Sequence, residues 1–462
     1  MASSVFDIKE HVVEAQHIRE YPHATSHSQE EVLHLAIKQY TPKNNPNPQP
    51  GDVTIIASHA NGFVKELYEP LWEDMVQALG KRGVRVRSIW IADVAWQGQS
   101  GIINADKLGN DPSWLDHARD LLHVVNHFRH DMPRPLVGVG HSFGANIMVN
   151  LAYLHPRLLS SLVMLDPVLS RFQILGPDYG FQPMKLSAYR RDLWPSRADA
   201  VAGFRRAKFY ASWDPRVFAR WAEHGLREVE VGQPPSDLLH PDAKPPAVTL
   251  TTSRHMEAFT YYRPQAQVYD AAGKRVIDKS RLVDAAQNVL DDKTSGFAFY
   301  RPEGPATNDR LPGLRPGVLW LFGEHSDVNP PDVRQEKMEL TGVGIGGSGG
   351  EKAGRVKQVT IKGFGHLVPL ERTTVCAEHA AEFVAGDLEV WREEDREFQS
   401  WARRSDAEKQ MLDEDWKRWL GPVKKKGKLI FSGIDRVLIQ GQIRSDQTKQ
   451  NSQDKYTPCI YT

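Results

Sequence analysis

The sequence predicts an α/β fold: a mostly parallel twisted sheet with helices on both faces, interrupted by an inserted, mainly helical lid. Three observations carry this reading. Short apolar runs that end in small or turn residues recur at "VTIIASHANG", "VRVRSIWIADV", "RPLVGVG", "SSLVMLDP", "PGVLWLFGE" and "GRVKQVTIKGFGH". Helical patterns fill the intervals between the early runs. Strand, helix, strand, helix in that order implies parallel neighbours, because each parallel pair needs a crossover connection that a helix fills. At 462 residues the chain is long enough to bury a large core.

Taken in order, Leu33, Leu35 and Ile37 alternate with more polar neighbours, which reads as a half-buried strand paired with residues 11 to 20 in an opening hairpin. "TPKNNPNPQPGD" breaks the pattern as a loop. Between the next two apolar runs a helix is expected over roughly residues 67 to 80. "DPSWLDHARDLLHVVNHFRHDM" opens with Asp and Pro and sets Trp114, Leu115, Ala118, Leu121, Leu122, Val125 and Phe128 at helical spacing, an amphipathic helix. The core thus spans 1–168 and resumes over 312–400. Residues 169–311 are rich in Trp, Tyr, Pro and Arg without clean alternation and read as the lid; 401–462 read as a charged helix followed by a disordered tail.

Composition excludes several classes. Lys+Arg and Asp+Glu both number 58, so net charge gives no reason to expect nucleic acid or a membrane surface as a partner. Two cysteines, Cys376 and Cys459, cannot form a disulfide framework and suit a reducing compartment. The amino-terminal residues lack a basic segment followed by an apolar one, so no secretory signal is expected, and no run of about 18 apolar residues predicts a membrane span.

The chemistry centres on "VGVGHSFGANIMVNLAYLHP", residues 137 to 156. Ser142 stands between Gly140 and Gly144, after an apolar strand and before a helix carrying Ile147, Met148, Leu151 and Ala152. A sharp strand-to-helix turn lifts a serine oxygen clear of the sheet, and the flanking glycines leave room for that turn. The competing reading is a dinucleotide-binding loop at Gly138, Gly140 and Gly144. It has one residue too many, and only Asp166 could serve as the acid that ribose binding needs about 20 residues on. A true G-x-G-x-x-G occurs at Gly342, Gly344 and Gly347, but no apolar strand leads directly into it, so a flexible loop is expected.

A serine needs a base, and the base needs an orienting acid. His366, in "VTIKGFGHLVPLE", ends a late strand where such a base belongs. Two acids compete: Asp327 follows the strand "VLWLFGE", the usual position, and Asp166 ends "SSLVMLDP". Two backbone N–H donors for an oxyanion are expected from Phe143, after the nucleophile, and from Asn61 in the early loop "SHANGF". His59 in that loop reads as a packing residue.

These strings resemble the α/β-hydrolase superfamily and, within it, the fungal hydrolases related to the acyl-CoA hydrolase MpaH of mycophenolic acid biosynthesis and to hydrolases of host-selective toxin pathways. The likeness lies in "REYP", "KELYEPLW", "SWLDHARDLLHVVNHFR", "MPRPLVGVGHSFGANI", "NLAYLHPRL", "GVGIGGSGG" and "GFGHLVPLE", over about residues 10 to 425. The resemblance implies an α/β-hydrolase fold and favours Asp166 as the acid, with Asp327 the alternative. It also implies a peroxisomal location through a C-terminal tripeptide; "KKKGKL" looks like one but is followed by 33 residues here, and an internal copy is not read as an address. Otherwise a cytoplasmic location is expected.

A triad with an oxyanion hole implies acyl transfer to water, hence an ester or thioester substrate, and the resemblance points to the acyl-CoA thioester of a fungal secondary metabolite. A carboxylester hydrolase or acyltransferase is the alternative, and a non-catalytic ligand-binding protein on the same fold the alternative of another class. No cofactor and no metal are expected. The partner expected is a small acyl-CoA or ester, with no nucleic acid, no membrane insertion and a homodimer left open. Residues 185 to 228 carry ten basic side chains, among them Lys185, Arg190, Arg206, Lys208, Arg216 and Arg220, against five acids, a surplus suited to the phosphates of coenzyme A. Tyr189, Trp194, Phe209, Tyr210 and Trp213 nearby could line an acyl site.

Overall fold

Side chains alternate across a strand, so a strand covered on both faces is apolar at most positions, without a polar face. The central strands meet that condition. A computed structural model describes residues 4–169, 181–229, 246–264 and 299–423. In β3 (Val53–Ser58), Ile55 and Ala57 join one apolar cluster and Ile56 the other. The same division holds for Val163 and Leu165 against Leu162 and Met164 in β6, described below.

β1 (Phe6–Glu14) pairs antiparallel with β2 (His34–Pro42), setting Val13 opposite Leu35. The opening hairpin therefore begins well before residue 11, and residues 16–20 leave the ladder. The Gln16 N–H donates instead to the buried Asp120 carboxylate. β4 (Val86–Ala92), β5 (Leu136–His141) and β6 (Leu159–Leu165) follow β3. The inserted segment contributes β7 (Leu193–Trp194), β8 (Leu226–Glu228) and β9 (Val248–Leu250) as one small antiparallel sheet, and β10 (Arg263–Pro264) with β11 (Phe299–Tyr300) as another. β12 (Gly317–Gly323) and β13 (Val356–Ile361) complete the main sheet, whose order is β1-β2-β4-β3-β5-β6-β12-β13. From β4 onward every neighbouring pair is parallel. The order reverses at β3, and the carboxyl ends of β3, β5, β6, β12 and β13 open on one edge, where an open sheet of this kind carries its ligand site.

Helices cover both faces. α1 (Glu69–Lys81) lies on the face of Ile55, and α2 (Gly98–Ile103) follows β4. α3 (Trp114–His127) and α4 (Phe143–Leu154) lie on the face of Ile56. The Ser113 hydroxyl caps α3 by accepting from the Leu115 N–H, which satisfies a donor the helix itself cannot. α4 is buried from Phe143 through Ala152, as a helix between sheet and a second helix layer must be.

The inserted segment adds α5 (Phe181–Tyr189), α6 (Arg197–Arg206), α7 (Lys208–Ala211), α8 (Pro215–His224), α9 (Arg254–Tyr261) and α10 (Glu303–Asn308). Its Trp194, Trp213, Trp221 and Leu250 share the apolar cluster of Ile55. The segment is thus packed into the same unit as the sheet. α11 (Pro331–Leu340), α12 (Val368–Glu371) and α13 (Thr373–Ala402) complete the order. Residues through Glu394 form one compact unit; a second begins at Asp395 and holds the end of α13, α14 (Asp406–Gln410) and α15 (Glu414–Leu420).

The glycine-rich loop at Gly342 to Gly347, read from the sequence as a flexible loop, is hydrogen-bonded to the segment before β12. Its amides are used: Gly342 donates to the Leu311 carbonyl, Gly344 to Pro312 and Ser348 to Leu314, at 2.8–2.9 Å. A Cβ on Gly347 would stand 2.5 Å from the Gly342 and Pro312 carbonyl oxygens, so the glycines serve close backbone approach. Among the described residues no helix is long and apolar enough to cross a membrane.

Candidate active site

The elbow between β5 and α4 is held in a conformation few side chains adopt. Ser142 has φ 59° and ψ −123°. Such strain persists only where the surroundings enforce it. Here the Ser142 N–H donates to the Leu165 carbonyl and its own carbonyl accepts from Ala145 and Val168. The glycines make the turn possible sterically. A Cβ on Gly144 would stand 2.4 Å from the Ser58 carbonyl oxygen, and one on Gly140 would stand 2.6 Å from the Ala145 Cα.

His366 and Ser142, far apart in sequence, meet at this elbow: Nε2 lies 2.9 Å from Oγ. His366 Nδ1 faces Asp166, 3.7 Å from Oδ2, an ion-pair distance beyond a direct hydrogen bond. Contacts of this kind tighten in the reacting complex. Asp166 is fully buried and itself has φ 40°. Burial pushes its pKa up, but His366, Asn329 and Ser326 outweigh that, and the carboxyl sits below its ordinary value. Ser326 Oγ donates to Oδ1 at 2.9 Å, and Asn329 Nδ2 donates to the same oxygen. Asp327, between those donors in sequence, is exposed. The loop that usually carries the acid here carries donors to the buried Asp166 carboxylate at the end of the neighbouring strand.

Phe143 N–H is the first of α4 and has no carbonyl one turn earlier to donate to. In the loop after β3 the N–H of Ala60 donates to the Tyr68 hydroxyl, that of Gly62 to Gln97 Oε1 and that of Phe63 to the Ala60 carbonyl. That leaves Asn61 as the loop's candidate donor, through its backbone. The Asn61 side chain is occupied, with Nδ2 donating to the Glu257 carbonyl and Oδ1 accepting from Gln97 Nε2. His59 is buried between Val94 N–H, which donates to Nε2, and the Ala60 carbonyl, which accepts from Nδ1; burial lowers its pKa to about 4. With both ring nitrogens engaged, His59 has a packing role and no capacity as a second base.

The inserted segment reaches this loop through α9. Glu257 accepts from Ser187 on α5 and pairs with Arg190 at 3.0 Å, while the Thr260 hydroxyl accepts from Trp96 and Gln97. Sequence reasoning missed Gln97, Glu257, Ser326 and Asn329. Each is an ordinary polar residue whose partner lies on another element, and no local pattern marks it. Of the basic residues expected to face phosphates, Arg190, Arg216 and Arg220 are in ion pairs, and Arg191 and Arg197 donate to backbone carbonyls. Of the aromatic residues, Trp194 and Trp213 are core, whereas Tyr189 is 87% exposed. Cys376 is a buried free thiol whose pKa burial raises; Cys459 and "KKKGKL" lie outside the described residues. No group of three or more His, Cys, Asp or Glu among the described residues could hold a metal ion.

Known proteins place the chain in a family. Residues 55–385 match the model of the alpha/beta hydrolase family. The chain belongs to the α/β-hydrolase family. Within it, the chain is 39% identical over 438 residues to a type I acyl-CoA thioesterase, mpaH', of Penicillium brevicompactum, covering 92% of this chain and 97% of that one. A type I acyl-CoA thioesterase of Penicillium roqueforti is 38% identical, with the same coverage. An abhydrolase domain-containing protein of Alternaria alternata, AKT2, is 25% identical over 63% of this chain and 98% of its own. Among solved structures, the peroxisomal α/β-hydrolase Lpx1 of Saccharomyces cerevisiae aligns with a TM-score of 0.60 at 15% identity, over 98% of this chain and 100% of that one, a likeness of fold. As an α/β-hydrolase the chain is an enzyme, and its candidate triad sits at the carboxyl edge of the sheet.

Proposed function

We propose that this α/β-hydrolase cleaves an acyl-CoA thioester of a fungal secondary metabolite through Ser142, His366 and Asp166. The 2.9 Å approach of His366 Nε2 to Ser142 Oγ is the observation that carries the reading. Ser142 Oγ attacks the thioester carbonyl carbon while its proton passes to Nε2. The Asn61 and Phe143 N–H groups stabilise the oxyanion, and Asp166 holds the imidazole and balances its positive charge. Collapse expels the thiol, which takes the proton from Nε2. Water then gives a proton to Nε2 and attacks the acyl-serine ester, and Ser142 recovers its proton as the acid leaves. The relatives named as acyl-CoA thioesterases, similar over nearly their full length, support a thioester over a simple ester. Lys185, Arg206 and Lys208 are exposed and show no ion pair among the described residues; we assign them to the phosphates of coenzyme A.

Colorimetric detection of free thiol from a panel of acyl-CoA esters, with Ser142→Ala as control, tests the proposal. Turnover of at least one CoA ester by the parent chain and none by the variant is expected. Hydrolysis of simple esters with none of CoA esters would redirect the reading to a carboxylester hydrolase.

A further inference from the structure

Behind the candidate triad, one line of hydrogen bonds joins the oxyanion loop to the loop carrying His366, and the proposed reaction does not use it. The Ala60 N–H donates to the Tyr68 hydroxyl at 2.8 Å, the hydroxyl lies 2.8 Å from His141 Nδ1, and His141 Nε2 lies 3.1 Å from the His366 carbonyl oxygen. The carbonyl end fixes its direction. A backbone N–H only donates, so the Tyr68 oxygen accepts from Ala60 and keeps its own proton to donate elsewhere. A carbonyl only accepts, so Nε2 must carry the ring proton. Nδ1 of the neutral ring is then an acceptor, and the Tyr68 hydroxyl donates to it.

We infer that His141, held as the Nε2–H tautomer by the Tyr68 hydroxyl, is a positioning residue that ties the His366 loop to the oxyanion loop. The inference rests on the proposed hydrolase reading. Tyr68 and His141 are buried, and the Tyr68 ring stacks on Trp72, so the hydroxyl cannot swing to another partner without disturbing the core. His141 immediately precedes Ser142, so a single ring touches the elbow, the base loop and, through Tyr68, the turn that presents Asn61. Spending the Ala60 N–H on Tyr68 leaves the next amide, Asn61, to face the reacting oxygen. Anchoring the His366 carbonyl holds that residue's ring over Ser142. The charged and titratable groups around His141 are His366, whose ring centre is 5.4 Å away, Asp166, His59 and Tyr68. Burial and the neighbouring His366 lower the His141 pKa to about 3, which keeps the ring neutral and the line intact.

The test uses the full chain, labelled with nitrogen-15 histidine, beside Tyr68→Phe, His141→Gln and His141→Asn. In the parent chain, NMR should show His141 neutral with the proton on Nε2 from pH 5.5 to 8. Tyr68→Phe, with ring packing kept and an unchanged circular dichroism spectrum, should lose about 10- to 100-fold in kcat with KM within about threefold, the signature of misplaced oxyanion donors. His141→Gln, whose amide can still donate toward the His366 carbonyl, should retain more kcat than His141→Asn, whose side chain is too short. A proton on Nδ1, titration of His141 between pH 5.5 and 8, or unchanged kcat in folded Tyr68→Phe would overturn the inference and leave the hydrolase reading standing. If the parent chain releases no thiol from any CoA ester, the thioesterase reading fails, and the tautomer alone decides whether the line exists as described.

Discussion

Ser326 donates its hydroxyl to the Asp166 carboxylate across 2.9 Å, from the turn after β12 to the end of β6. The pairing of Leu321 with Leu165 brings the two turns together, and it sets a buried carboxylate one strand away from where this fold usually carries its acid. Asp166→Asn should therefore reduce kcat by about 10³- to 10⁴-fold by stabilising the wrong imidazole tautomer. Asp327→Asn, at an exposed position, should leave kcat within about twofold. Steady-state kinetics of both variants on one CoA ester decides between the acids, and the reverse result would move the role to Asp327.

Gly144 permits the closest approach in the elbow. Alanine there would place a methyl group 2.4 Å from the Ser58 carbonyl oxygen and 2.6 Å from that of His59. Both are backbone atoms of the strand end that leads into the oxyanion loop, so relief must move that loop. Gly144→Ala should cost about 1–3 kcal/mol, the range for overpacking, and suppress turnover even in the folded fraction. Urea unfolding and kinetics on the same sample measure both effects.

Gln97 connects the inserted segment to the oxyanion loop, since its amide accepts from Gly62 and donates to Asn61 and Thr260. Gln97→Ala leaves a buried Gly62 N–H unpaired, at about 1–3 kcal/mol. We expect kcat to fall by about 10- to 100-fold while KM changes little, because the substrate's remote contacts are intact. A rise in KM alone would place Gln97 with substrate binding instead.

Acid stability should report the buried His141. Its folded-state pKa, about 3, lies below its unfolded value of 6.5, so between these limits the unfolded chain binds a proton that the folded chain excludes. Stability from this group is complete above pH 6.5 and is lost as pH falls, by at most about 1.4 kcal/mol per pH unit. Asp116 acts in the opposite direction, because burial raises its pKa to about 7. The clean observable is therefore a difference: between pH 7 and 5 the unfolding free energy of His141→Gln should fall less steeply than that of the parent chain. Parallel curves would contradict the assignment.

Much of the sheet was legible because its strands are buried on both faces, which favours mostly apolar runs such as "VTIIAS" and "LSSLVML". Ser142 and His366 were legible as candidates for a local reason: each sits at a strand end among glycines, and the turns need those glycines. The choice of acid was not. Asp166 and Asp327 both follow strands, and only the register between β6 and β12 decides which carboxylate is buried. Tyr68 and His141 are 73 residues apart, and nothing in "KELY" or "GHSFG" signals that their side chains meet. In the inserted segment, strands two or three residues long such as β7 and β8 are too short to show a period, so a helical reading was all that pattern could support. The basic surplus there was visible, but its use in ion pairs with Asp74, Glu69 and Glu257 depends on helices that only the fold brings alongside.

The most direct test of the central claim is mass spectrometric mapping of the covalent adduct formed by a fluorophosphonate on the folded parent chain and on His366→Ala. We expect one phosphonyl group on the peptide containing Ser142 in the parent chain, and labelling slowed by at least about a hundredfold without the base. A folded parent chain whose Ser142 stays unlabelled, or one that carries the adduct on another residue, would contradict the account.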